Sequence, residues 1–304
     1  MRKALSLLLT VLLVVSFVSV TGRVPTAKAV AQEVSYNLAG EPTGIDPATT
    51  VGLPEFDIEA QVFEGLTRLD ANGTPQPAIA KSWTISKDGK TYLFTLRDSY
   101  WTNGTPVNAY DFEYAWKRAL SPELASEYAY QLYYIYGGEA YNTSIKVGTK
   151  YYAQAVDAKG NLLTTKVNGK DVPVANMKKE IDPSRNIGVK ALNAKTLKVY
   201  LQAPTPYFLG LTAFPTLMPV CKAVVSKNAN WAVDLKDYVT NGPFKLVEWT
   251  HNEKMVFVKN PSYWDKDKVK PTKITYFMVE DEATALSMYQ SGQLDSAMFV
   301  CARL

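Results

Sequence analysis

Apolar and polar positions along the chain alternate between two periods, and the switching predicts a mixed α/β protein. Glu33 to Leu38 alternates and runs into the turn material Gly40-Glu41-Pro42. Apolar residues at 58, 62 and 66 follow a helical spacing, with Gly65 near the end, so a helix is expected over Ile58 to Leu66. Thr91 to Leu96 alternates cleanly, placing Tyr92, Phe94 and Leu96 on one side of a strand. Asn103-Gly104 is a turn suited to positive φ. Asn108 then caps a helix over Ala109 to Leu120, with Asp111 three residues on and Phe112, Trp116 and Ala119 along one face.

Residues 145–186 are more polar, and Lys159-Gly160 and Asn168-Gly169 mark hairpins or an extended insertion. Strands return at Thr196–Leu201, Met255–Val258 and Ile274–Val279. A last helix runs from Asp281 as cap, through Leu286 and Tyr289, to Gly292 as stop. The closing residues, from Leu294 onward, read as a strand that begins and then ends. No fixed internal period is present, which sets aside solenoids and propellers.

The longest apolar run is at the front. Arg2 and Lys3 precede residues 4–20, which carry no charge, and Ala27-Lys28-Ala29 supplies the small residues of a cleavage site. This three-part pattern is that of a secretory leader over residues 1–29. Its 17 apolar-rich residues span roughly 25 Å as a helix, short of the ~30 Å hydrocarbon core, which favours cleavage over a retained anchor. No cysteine directly follows the run, so lipid anchoring is unsupported; the first cysteine is Cys221. Cys221 and Cys301 both lie in apolar settings, and either two buried thiols or one bridge fits them.

The leader also explains the charge. Four of the 33 basic residues lie in residues 1–29, which contain no acid, leaving 29 basic against 29 acidic residues in the remainder. A near-neutral mature chain gives no reason to expect nucleic acid as a partner. Catalytic chemistry is equally sparse. The single histidine, His251, cannot build a His/Cys metal cluster, and the sequence has no nucleophile elbow and no phosphate-cradling glycine loop. Glu55 and Glu59 have the types needed for glycoside hydrolysis but read as a solvated helix face. No enzyme and no cofactor are expected. The unusual feature is tyrosine: 19 in all, with Tyr128, Tyr130, Tyr133, Tyr134, Tyr136 and Tyr141 crowded together, as core packing or as a recognition surface.

Several motifs, in order, resemble those of the family 5 extracellular solute-binding proteins, the oligopeptide-binding receptors of ABC importers. They include Gly44-Ile-Asp-Pro47, Val62-Phe-Glu-Gly-Leu66, Pro77-Ala-Ile-Ala-Lys-Ser-Trp83 and Ser86 through Arg97. Trp101-Thr-Asn-Gly-Thr-Pro-Val107 and Ala109 through Arg118 follow. Ala203-Pro-Thr-Pro-Tyr-Phe208, Thr240-Asn-Gly-Pro-Phe-Lys245 and Lys259-Asn-Pro-Ser-Tyr-Trp-Asp265 complete the set. The versions around Tyr128 and Phe208 resemble oligopeptide receptors more than the nickel or dipeptide branches.

The resemblance implies a bilobal, periplasmic-binding-protein-like fold (type II, cluster C-like). Its first lobe would join a discontinuous mixed-sheet domain, residues 30–63 and 187–286, to a second domain, residues 64–186. Residues 287–304 would begin the second lobe, so the sequence is expected to be C-terminally truncated. It implies capture of extended oligopeptides outside the cytoplasmic membrane, in a periplasmic or extracellular setting, by a monomer that delivers to ABC importer permease subunits. A different solute (dipeptide, metal chelate or oligosaccharide) or a secreted interaction role on the same scaffold are the alternatives. Ligand contacts carried over from the family fall on Val51, Gly52, Leu53, Tyr128, Asn241 and Gly242. Gly52 would let the ligand main chain approach, Tyr128 would offer ring and hydroxyl, and Asn241-Gly242 would donate polar contacts. The groups that clamp the peptide's charged termini would lie in the second lobe.

Overall fold

A computed structural model describes residues 32–233 and 235–296. The leader, Cys301 and the end of the final strand lie outside the described residues. Along the chain come β1 (Glu33–Asn37), helix α1 (Leu53–Val62), β2 (Thr67–Leu69), β3 (Pro75–Pro77), β4 (Ala80–Ile85), β5 (Thr91–Leu96) and helix α2 (Ala109–Ala119). The polar stretch gives β6 (Ile145–Val147), β7 (Lys150–Gln154), β8 (Thr164–Val167), β9 (Lys170–Pro173) and β10 (Ala175–Ile181). Then follow β11 (Val189–Asn193), β12 (Thr196–Tyr200), β13 (Phe244–Thr250), β14 (Lys254–Lys259), β15 (Lys273–Phe277) and helix α3 (Glu282–Gln290).

Two four-stranded sheets carry the fold. One runs β1-β15-β14-β13, with β1 parallel to β15 and the other pairs antiparallel. The other runs β11-β12-β5-β4, all antiparallel. The alternation in β5 is borne out: Tyr92, Phe94 and Leu96 are buried and the residues between them are not. Leu197, Val199 and Leu201 are buried likewise. Because β5 is bonded to β12 along its length, the division expected at residues 186–187 falls between strands of one sheet. A strand ladder is a continuous set of main-chain bonds, and opening it there would expose them.

Helix α2 lies on this second sheet, against β11 and β12. Its capping box forms as the sequence predicts: Tyr110 N–H donates to Asn108 Oδ1 at 2.9 Å and Asn108 N–H to Asp111 Oδ2 at 3.0 Å. Asp111 is buried and also accepts the Trp101 indole N–H (3.2 Å) and Lys222 N–H (3.1 Å), so the cap is tied into the core. On the inner face Trp116 meets Phe112 and Phe208 edge-on and donates its indole N–H to the Leu217 carbonyl at 2.8 Å.

Residues 145–186 form the hairpins that the turns announce. Asn168 and Gly169 both have positive φ, 51° and 78°, between β8 and β9, as a two-residue mirror-image turn requires. Helix α3 keeps its Asp281 cap and its Gly292 stop, at φ 77°. Just beyond, Ser296 makes an isolated parallel bridge to Tyr36 of β1; the rest of the expected closing strand lies outside the described residues.

One helix is displaced. The expected span 58–66 is observed at 53–62. Pro54 presets the first turn, which moves the start forward. Phe63 is already extended (φ −118°, ψ 161°), and at Gly65 a Cβ would stand 2.3 Å from the Thr212 carbonyl oxygen. Gly65 therefore serves a close backbone approach and lies beyond the helix.

Candidate functional site

Helix α1 organises the candidate site, and its two ends do different things. The helix is ten residues long, so its ends are about 15 Å apart. Its buried residues are Glu55, Ile58, Glu59 and Val62, a helical stripe in which two of the four positions are carboxylates. The solvated-face reading of Glu55 and Glu59 is thus overturned: they are 4% and 0% exposed.

Both acids hold the loop that leads into the helix. Glu55 Oε1 accepts the Thr43 N–H and hydroxyl at 2.8 and 2.9 Å. Glu59 Oε1 accepts the Thr50 hydroxyl at 2.6 Å. A third acid, Asp46, receives both guanidinium nitrogens of Arg118 (2.9 and 2.5 Å) and the Ala48 N–H (3.0 Å). Arg118 is on α2, so the fork fixes the loop to the second sheet's helix. Burial pushes the Glu59 carboxyl up to about 8; the Thr50 bond opposes this, and the Asp46 and Glu55 charges add to it. Glu59 Oε2 has no hydrogen-bond partner among the described residues.

So held, the loop presents Val51, Gly52 and Leu53. Val51 is 41% and Leu53 72% exposed. Gly52 is the N-cap of α1, and its missing side chain has a local cause. A Cβ there would stand 2.0 Å from Glu55 Oε2, in the space that the loop-holding carboxylate needs.

The same end of α1 brings in Tyr128. Its ring centroid lies 5.5 Å from Phe56 and 5.3 Å from Phe214, and those two are 5.5 Å apart, a closed triangle of rings. Tyr130 extends it, 5.8 Å from Tyr128. Phe56, Tyr128 and Phe214 are each half-buried, and Tyr130 is exposed. Phe56 and Phe214 are absent from the sequence-level set. Phe56 lies off the 58–62–66 stripe, and Phe214 shares neither periodicity nor a quoted motif with Tyr128.

Asn241 and Gly242 lie at the other end of α1. Asn241 is 1% exposed. Its Oδ1 accepts the Glu64 N–H and its Nδ2 donates to the Glu64 carbonyl, both at 3.0 Å. Gly242 N–H donates to the Val62 carbonyl at 2.7 Å, and its own carbonyl accepts from Asn260 Nδ2 at 2.9 Å. A Cβ on Gly242 would be 2.4 Å from the Val62 carbonyl carbon. The Asn241 side chain and the Gly242 main chain thus bond within the protein and close the helix end.

Most of the motifs quoted above meet at this second end and hold one another. Glu64 accepts the Tyr263 hydroxyl at 2.7 Å and the Trp264 indole N–H. Arg68 donates to Asp265 at 2.8 Å, and Arg97 lies over the Trp264 ring at 3.4 Å. Burial raises the Glu64 carboxyl, while the Trp264 and Tyr263 bonds and the Arg68 and Arg97 charges draw it down. An open cavity of about 430 Å³ adjoins this knot, lined by Phe63, Glu64, Arg68, Met218 and Tyr263 among others. His251 joins a separate clasp: Glu41 takes contacts from His251 Nδ1 (2.8 Å), the Trp249 indole N–H (3.0 Å) and Asn252 N–H (2.7 Å). Among the described residues no group of three or more His, Cys, Asp or Glu is placed to hold a metal ion, and no helix is long and apolar enough to cross a membrane. Cys221 is buried.

Comparison with known proteins agrees with this architecture. Residues 74–302 match the family described as bacterial extracellular solute-binding proteins, family 5 Middle. The oligopeptide-binding protein OppA of Bacillus subtilis is 43% identical over 266 residues, covering 87% of this chain and 42% of that protein. The dipeptide-binding protein DppE of the same organism is 39% identical over 273 residues, covering 89% and 44%. The crystal structure of Haemophilus influenzae OppA in complex with RPPGFSPFR superposes with a TM-score of 0.73 at 30% identity, covering 88% of this chain and 46% of that one. The chain spans less than half the length of these relatives. It belongs to the family 5 bacterial extracellular solute-binding proteins.

Proposed function

We propose that this chain carries part of the peptide-binding surface of an ABC-importer receptor, which captures extended oligopeptides outside the cytoplasmic membrane. The observation that carries this reading is the anchored, exposed loop Val51-Gly52-Leu53, one helical turn from Phe56, whose ring in turn meets Tyr128 at 5.5 Å. Extended peptides are bound through their main chain, and a fixed backbone segment next to an aromatic wall suits that mode. Val51, Gly52 and Leu53 supply the backbone rail, and Tyr128 meets a ligand side chain. Asn241 and Gly242 keep α1 in place from its far end. Polar side chains on the ligand are accommodated by water, which gives affinity with little sequence preference.

The leader, residues 1–29, directs export, and the mature chain works as a monomer that hands its ligand to permease subunits, with no cofactor and no chemical step. The two-part division of residues 30–286 stands as part of this proposal, with β11 and β12 moved to the part that holds β5. By the family resemblance, charged groups in a second lobe hold the peptide termini. Two such bonds contribute about 1.5–3 kcal/mol each, so a micromolar receptor without them binds at about millimolar.

Calorimetry of the purified chain with tri- to pentapeptides, nickel and oligosaccharides tests the reading. Peptide binding at about millimolar, with none for the other two classes, is expected. Tighter binding of nickel or of an oligosaccharide than of any peptide overturns it.

A further inference from the structure

We infer that Phe56 and Phe214, together with Tyr128 and Tyr130, form a side-chain subsite that selects aromatic and large aliphatic side chains. The inference rests on the peptide-capture reading above and adds a preference to it. The rings come from three separate segments, yet Phe56, Tyr128 and Phe214 lie within 5.5 Å of one another. Phe56 meets the other two edge-on, at 66° and 67°, and Tyr128 meets Phe214 at 50°. Such tilted contacts leave ring faces and edges open to a further ring.

A contrast within the molecule distinguishes this cluster from core. Phe112 and Phe208 both contact Trp116, and all three are fully buried. The Phe56 triangle is half-buried, and Tyr130, Val51 and Leu53 around it are exposed. Apolar surface left in water on a rigid frame is stabilised by whatever covers it. The occupant is specified by what adjoins the rings. Gly52 lies one helical turn from Phe56, so a peptide main chain lying along 51–53 would direct a side chain onto the triangle. The subsite is built of rings alone, so an acidic side chain would lose its hydration there without gaining a charged partner.

The test is a titration of the purified chain with Ala-Ala-Ala, Ala-Phe-Ala, Ala-Asp-Ala and N-acetylphenylalanine amide, followed by saturation-transfer NMR. Ala-Phe-Ala is expected to bind about tenfold or more tighter than Ala-Ala-Ala, as burial of a phenyl group predicts, and Ala-Asp-Ala most weakly. Phe56→Ala and Phe214→Ala should each reduce the Phe-to-Ala affinity ratio to under about threefold, while Phe56→Leu, which keeps most of the apolar volume, retains most of it. If the tripeptides all bind alike, or the ratio survives both alanine variants, the subsite is refuted and peptide capture stands. Binding of N-acetylphenylalanine amide without any tripeptide, lost in the alanine variants, keeps the subsite and refutes peptide capture. Binding of neither refutes both.

Discussion

Glu59 holds the candidate loop through the Thr50 hydroxyl, and it is a carboxyl group buried without charge compensation. Its folded-state value near 8, against 4.5 for an ordinary glutamate, means that the folded chain keeps a proton that the unfolded chain releases. Its contribution to stability is therefore fully present below about pH 4.5 and is lost as the pH rises to about 8, by at most roughly 5 kcal/mol. Glu59→Gln, which accepts the same Thr50 hydroxyl and cannot ionise, should flatten that slope. Urea unfolding at pH 5 and pH 8.5 measures it, and parallel losses in both proteins would refute the assignment. Gly242 makes the opposite kind of demand, for empty space. Its neighbour is main chain at 2.4 Å, which cannot swing aside, so Gly242→Ala should cost about 2 kcal/mol or more. A melting temperature within a degree of the parent's would show that the helix end yields. Neither role is legible in the sequence. Glutamates on a helical stripe read as solvated, and only the fold reveals Thr50 above one of them and the Val62 carbonyl against the glycine.

At the scale of elements, legibility follows the range of the interactions that set each one. Helix α2 is determined within its own length: cap, capping-box partner and apolar face are all local, and it forms where the pattern puts it. Asn108→Ala should destabilise the protein by about 1 kcal/mol, with Asn108→Asp close to the parent, and thermal unfolding of the pair reads this out. Equal loss in both variants would mean that the cap bond itself contributes nothing. Strands β5, β12 and β14 are legible for the same reason, since alternation records which side faces the core. Helix α1 starts at Leu53 and not Ile58 because Pro54 suits its first turn, and it stops at Val62 with Gly65 held beyond it against Thr212, far along the chain. The ring triangle is invisible for a like reason. Phe56, Tyr128 and Phe214 come from segments far apart in the chain, and no spacing in the sequence relates them.

For the whole molecule, the motifs that carry the family resemblance turn out to be chiefly architectural. Glu64, Asn241, Tyr263 and Trp264 bond to one another or to main chain at one end of α1, and Asp265 holds Arg68 beside them. The other end, with exposed Val51 and Leu53 and the half-buried rings, is the one the proposed peptide site uses. The proposed export belongs to the whole chain too, and residues 1–29 are where its signal is read. The secreted material should begin at Val30; N-terminal sequencing that finds Met1 in a membrane fraction would contradict the leader. The claim at the centre, that an extended peptide lies along the N-terminal end of α1, is tested most directly by following backbone amide shifts of the labelled chain during titration with Ala-Ala-Ala. The account predicts the largest changes at Gly52, Leu53 and Tyr128, with Asn241 and Gly242 nearly still. Changes confined to the cavity beside Glu64 and Arg68, or none up to the solubility limit of the peptide, would contradict it.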